Sequence, residues 1–121
     1  MTRPWDFADA WVLAAIGGYR RPCTLADLIA AADMINHAIL LETELEDALG
    51  RLTGAGLVRV FEDWTFEVTD DGATVTSSET RDLQAHLRML QARLDDFEPG
   101  TTRVKLSRGL MAAAVEEYQS R

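Results

Sequence analysis

The sequence predicts a mostly α protein of the α+β kind: a three-helix core carrying a two-stranded β-hairpin, followed by C-terminal helices that serve dimerisation. Three observations carry that expectation. Apolar residues recur at helical spacing through Leu45, Ala48, Leu49 and Leu52. Directly after the glycines Gly54 and Gly56, the run Leu57-Val58-Arg59-Val60-Phe61 and the alternating Trp64-Thr65-Phe66-Glu67-Val68 read as two paired strands. Finally, Leu83, Leu87, Leu90, Leu94 and Phe97 fall at spacings of four, three, four and three, a heptad seam on a later helix.

The first helix is expected to open at Trp5-Asp6-Phe7, with Asp6 as N-cap and Asp9 in the first turn. Its body, Ala8 to Ile16, is apolar on nearly every side, as suits a helix buried against several neighbours, and Gly17-Gly18 ends it. Thr24-x-x-Asp27 has the form of a capping box for a second helix, whose stripe is Leu25, Leu28, Ile29, Ala32 and Ile35, with Asp27 and Asp33 facing out. Residues 36–42 form a longer connection than the three or four residues of an ordinary helix-turn-helix. The third helix is predicted to start at Thr43-x-x-Glu46, read as a second capping box, and to end at Gly54 and Gly56, because glycine tolerates the left-handed turn that closes a helix. Thr69 is the expected N-cap of a fourth helix through Gly72, irregular toward residue 78. Glu98-Pro99-Gly100 breaks the heptad helix, and a last helix is placed from Val104 to Tyr118, with Met111 and Val115 on its apolar side and Gly109 as a weak point.

The pattern Leu45-x-x-Ala48-Leu49-x-x-Leu52-x-x-x-Gly56-Leu57-Val58, followed by Phe66-x-Val68-Thr69-x-x-Gly72, resembles the winged-helix (winged helix-turn-helix) superfamily, most closely the MarR-like and PadR-like regulators. The resemblance covers about residues 5 to 75. It implies a winged-helix domain over residues 1-78 and a C-terminal helical dimerisation segment over residues 79-121, the two forming a single compact unit. It implies further a dimeric transcription regulator in which the third helix meets DNA with Glu42, Thr43, Glu44, Glu46, Asp47 and Arg51, and the wing with Arg59, Glu62, Asp63 and Trp64. The expected homodimer interface is Leu83, Leu87, Leu90, Leu94 and Phe97 together with Met111 and Val115, an apolar surface suited to an isologous two-fold contact.

Charge argues against the DNA reading. The net charge is -8, and residues 1–70 carry twelve acids against five Lys or Arg, whereas residues 71–121 carry eight against seven. Phosphate neutralisation by Lys and Arg supplies most non-specific DNA affinity, so the acidic half is the wrong half. The alternative is an acidic winged-helix domain acting as a protein-protein interaction module without direct DNA binding. Arg103, Lys105 and Arg108 form a basic patch that could pair with an acidic surface in the same chain, a second subunit or a partner.

Other chemistry has no footing in the residues. His37 and His86 are isolated and read as surface or turn histidines, so no metal is expected. Cys23 is the only cysteine, which excludes an intramolecular disulfide; it is read as a partly buried thiol, with a redox role as the alternative because Arg20 and Arg21 are near. No Gly-rich phosphate loop or nucleophile elbow occurs, so no catalytic residue and no cofactor are assigned and an enzyme is not expected. A length of 121 residues suits one domain. No apolar run reaches the ~20 residues of a membrane span, and Asp6 and Asp9 interrupt any signal-like N-terminus, so the expected location is cytoplasmic.

Overall fold

In the computed structural model, which describes residues 5–121, six helices surround a small antiparallel sheet. Residues 1–4, on which part of the N-terminal reading rests, lie outside the described residues. Helix α1 (Phe7–Gly17) is the hub, because every residue from Asp9 to Ile16 is buried and α2, α3, α4 and α5 all pack on it. Its start is held by the Asp6 backbone N–H, which donates to the Asp9 carboxylate at 2.8 Å. Strand β1 (Cys23–Thr24) leads straight into α2 (Leu25–Asn36). There the Asp27 N–H donates to the Thr24 hydroxyl at 3.1 Å and the Thr24 N–H to the Asp27 carboxylate at 3.0 Å, the reciprocal cap that the sequence predicts. Leu25, Leu28, Ile29, Ala32 and Ile35 are buried as expected.

Helix α3 (Glu42–Gly54) is followed by β2 (Val58–Val60) and β3 (Thr65–Val68), which pair with Val58 opposite Val68 and Val60 opposite Phe66. The sheet order is β1-β3-β2, since Cys23 also pairs with Phe66. At the hairpin turn Trp64 takes a positive φ of 57°, and Asp63 accepts the backbone N–H and hydroxyl of Thr65. Helix α4 (Asp70–Thr76) starts at the predicted cap, where the Thr69 hydroxyl accepts from the Gly72 N–H at 3.1 Å. Helix α5 (Leu83–Leu94) packs on α1 and α4, and α6 (Leu110–Gln119) packs on α2. No helix among the described residues is long and apolar enough to cross a membrane.

Several expectations are corrected. Helix α3 begins one residue before Thr43: Leu41 is the N-cap residue and its N–H donates to the Glu44 carboxylate at 2.9 Å, so Thr43 is an exposed first-turn residue and caps nothing. Helix α6 begins at Leu110, not at Val104, because Gly109 adopts a left-handed φ of 80° and residues 98–107 run without helix or strand. Asp27 does not face out; it is buried, and Arg21 and Arg121 reach it at 3.4 and 3.0 Å. Asp33 accepts the Tyr118 hydroxyl and so ties α6 to α2.

The heptad seam is corrected in its partner. Leu87, Leu90 and Leu94 are buried within one chain, as is Met111, while Phe97 and Val115 are half-buried against the same core. Of the expected interface, Leu83 alone is exposed. A heptad spacing shows that a helix needs an apolar neighbour, and here α1 of the same chain is that neighbour.

Candidate functional site

The face of α3 opposite Leu45, Leu49 and Leu52 is where a reading helix would meet its target, and in this fold its C-terminal part, at Gly50 and Gly54, is covered while Thr43 and Asp47 stay exposed. Residues 98–107, here called the strap, cross it in the opposite direction. The crossing is made by backbone on backbone: a Cβ on Gly54 would stand 2.5 Å from Gly100 Cα, and one on Gly50 would collide with the Thr102 carbonyl oxygen. The Gly100 N–H donates to the Arg51 carbonyl at 2.9 Å. Further along, the Leu106 N–H donates to the Glu46 carboxylate at 2.7 Å while the Leu106 side chain is buried. Burying such a leucine contributes about 1.5–3 kcal/mol. The strap ends at the β2–β3 hairpin, where the Trp64 indole N–H donates to the Ser107 hydroxyl at 3.2 Å.

The candidate recognition residues are therefore divided among different tasks. Arg51 turns away from solvent to α1, its Nε–H donating to both Asp9 carboxylate oxygens at 3.0 and 2.9 Å and its terminal nitrogen to Asp6 at 3.2 Å. Asp9 is fully buried. Burial pushes its carboxyl above the ordinary value, against the opposing pull of the Asp6 backbone N–H and the Arg51 guanidinium. Glu44 is used by the Leu41 N–H and Glu46 by the strap, which leaves Glu42, Thr43 and Asp47 as the exposed members of the set. On the hairpin Arg59 pairs with Glu67 at 2.9 Å, and Glu62 and Asp63 are exposed.

The predicted basic patch is brought beside this helix, since Arg103 and Lys105 line a cleft with Glu46, Asp47 and Arg51. Arg103, Lys105 and Arg108 are all exposed and form no ion pair among the described residues. The residues that the sequence reading missed are Gly50, Gly54, Gly100, Thr102, Leu106 and Ser107. Gly50-x-x-x-Gly54 was their one signal, a pair of small residues on a single helix face.

Two other groups are placed elsewhere. Cys23 is fully buried on β1, and burial first, then the Asp27 charge, pushes its thiol up to about 11, opposite to what a reactive thiol needs. His86 is half-buried: its Nδ1 is buried without a hydrogen-bond partner, and burial, then Arg93, lowers its pKa from the ordinary value. It lines a groove of about 500 Å³ with Ala14, Ala31, Met34 and Leu83. Among the described residues no group of His, Cys, Asp or Glu has the arrangement of a metal site. Compared with family models, curated proteins and solved structures, the chain matches none of them.

Proposed function

We propose that this chain is a winged-helix domain that works as a protein-interaction module and does not read DNA with α3. The order α1-β1-α2-α3-β2-β3, with β1 added to the edge of the hairpin, supports the winged-helix part of the reading. The observation that carries the functional part is the strap on α3. A helix enters the major groove side chains first, whereas here Gly50 and Gly54 lie under the backbone of residues 100–102 and Arg51 is committed to Asp9. The charge left in the open on the helix and hairpin points the same way: Glu42, Asp47, Glu62 and Asp63 would face phosphate, and the free cations nearest Asp47 are Arg103 and Lys105 of the strap. A partner protein imposes no such requirement.

Retention of random duplex DNA in a gel, at low and at physiological salt, tests the reading. The expected result is no retention at physiological salt. Tight retention at both would overturn it and restore the regulator reading, in which a homodimer places two such domains on DNA. Charge reversal at Arg103, Lys105 and Arg108 would then show whether the strap supplies the contact.

A further inference from the structure

A groove lies between α1 and α2 on one side and residues 76–86 on the other, and its two sides differ in chemistry. Ala14 and Ala15 of α1 and Ala31, Met34 and Ile35 of α2 contribute apolar surface. Tyr19 aside, the polar and charged side chains of the lining come from the other side: Thr76, Ser78, Thr80, Arg81 and His86, spread over the end of α4, the segment after it and the start of α5. The two sides meet at Gly17, where an added Cβ would stand 2.8 Å from Thr76 Cγ2. The volume of about 500 Å³ falls within the ~300–1,000 Å³ usual for small-ligand sites. Met34 and Leu83, two of the large apolar side chains that the fold leaves exposed, both stand on this groove.

Most of the polar lining is already used. The Thr76 hydroxyl donates to the Gly72 carbonyl at 3.0 Å, and the Ser78 and Thr80 hydroxyls accept the N–H groups of Thr80 and Asp82 at 3.1 and 3.2 Å. Tyr19 donates its hydroxyl to the Asp27 carbonyl, and the Arg21 guanidinium lies 5.5 Å from its ring centroid. Two groups are left. Among the described residues, the exposed Arg81 forms no ion pair and the buried His86 Nδ1 has no hydrogen-bond partner. In a chain with 20 Asp and Glu, the lining of this groove contains none. Asp82, beside Arg81 in sequence, gives its carboxylate to the Gln84 and Ala85 N–H groups at 3.0 and 3.3 Å, and Glu79 lies outside the lining.

We propose that this groove binds a medium-chain aliphatic carboxylic acid, with its chain along Ala14, Ala31, Met34 and Leu83 and its carboxylate on Arg81 and His86. The site goes beyond the protein-interaction reading and does not depend on it. Arg81 supplies positive charge and a fork of N–H donors that matches a carboxylate. His86 supplies a directed hydrogen bond: its lowered pKa favours the neutral ring, which carries one proton on either nitrogen, and an acceptor at Nδ1 selects the Nδ1–H form. The apolar lining suits an aliphatic chain better than a flat ring. Met34 is unbranched and adapts to the shape beside it, while the one aromatic ring of the lining, Tyr19, is engaged by Arg21.

The test titrates the full chain with decanoate, decanol and decylamine below their micelle concentrations, read by calorimetry and by the ¹⁵N resonances of the His86 ring. Decanoate is expected to bind saturably at one site and about tenfold or more tighter than either analogue, with the His86 Nδ1 resonance shifting as the site fills. Arg81→Gln, at an exposed position, should weaken decanoate about tenfold and remove its advantage over decanol. Ala31→Trp should fill the groove and abolish binding; should that variant not fold, affinity rising with chain length from hexanoate to decanoate gives the same reading on the unaltered protein. Binding without saturation, equal or tighter binding of decylamine, or indifference to Arg81→Gln would overturn the proposal. A dimer in sedimentation that Met34→Asp with Leu83→Asp dissociates and decanoate leaves intact would overturn it too, by showing that a second copy of the chain covers the groove.

Discussion

Two helices of this protein are covered by opposite means. Helix α5 presents Leu87, Leu90 and Leu94 to α1, a contact of side chains filling space between two helix axes. Helix α3 presents Gly50 and Gly54 to Gly100 and Thr102, a contact of backbones with no side chain between them. The first derives its strength from buried apolar volume and tolerates repacking. The second derives its position from the absence of volume and tolerates none. A surface built on the first can drift during evolution, while one built on the second holds its backbone groups at fixed places.

The largest effect is expected where volume is removed. Leu90→Ala should destabilise the fold by about 2–5 kcal/mol in denaturant unfolding, because the cavity lies in the contact between α5 and α1 and nothing exposed can fill it. A neutral result would mean that α5 is held by its ends only. Next comes the opposite change, added volume. Gly50→Ala gains about 1 kcal/mol of helix propensity, but its methyl group meets the Thr102 carbonyl, and overpacking of this kind costs about 1–3 kcal/mol. The collision should win. The variant should melt lower than the parent and exchange its Leu106 amide faster, and an increase in stability would show that the strap yields without cost.

A finer comparison sets two helix starts side by side. Thr24→Ala removes a hydroxyl that accepts the Asp27 N–H and should cost about 1 kcal/mol. Thr43→Ala touches no cap and should stay within about 0.5 kcal/mol, so equal losses in thermal melts would return the start of α3 to Thr43. The smallest effect is one of pH. His86 is held below its ordinary value of 6.5 by burial and by Arg93. The unfolded chain therefore takes up a proton that the folded ring refuses, so stability is complete above pH 6.5 and declines as pH falls below it toward the lowered value. His86→Leu should flatten that part of the stability profile; an unchanged slope would place the titration elsewhere.

The elements that could be read from the residues are those whose neighbours are local in kind. Helix α1 is apolar all round and is buried all round; Thr24 and Thr69 cap what they precede; Phe66 and Val68 alternate because one side of the hairpin faces the core. Strand β1 was illegible because two residues, Cys23 and Thr24, carry no alternation. The start of α3 was misplaced because Glu44 and Glu46 both lie where a glutamate can reach back, and only the fold decides that Glu44 takes the Leu41 N–H while Glu46 takes Leu106. The seam on α5 stated a need without naming the partner. The strap left the faintest trace of all, for Val104 and Leu106 are separated by the charge of Lys105, and the close backbone contact is made by Gly54 and Gly100, far apart in the sequence, which signal by what they lack.

The Trp64–Ser107 hydrogen bond has a practical consequence. Trp5 and Trp11 are sealed in the core, each with its indole N–H given to a backbone carbonyl, of Phe97 and of Ala32 respectively. Trp64 is the partly exposed indole that touches the strap. Its emission thus reports on one joint of the molecule, and with Trp5 and Trp11 as a constant background the protein contains its own optical gauge of whether the covering segment is seated.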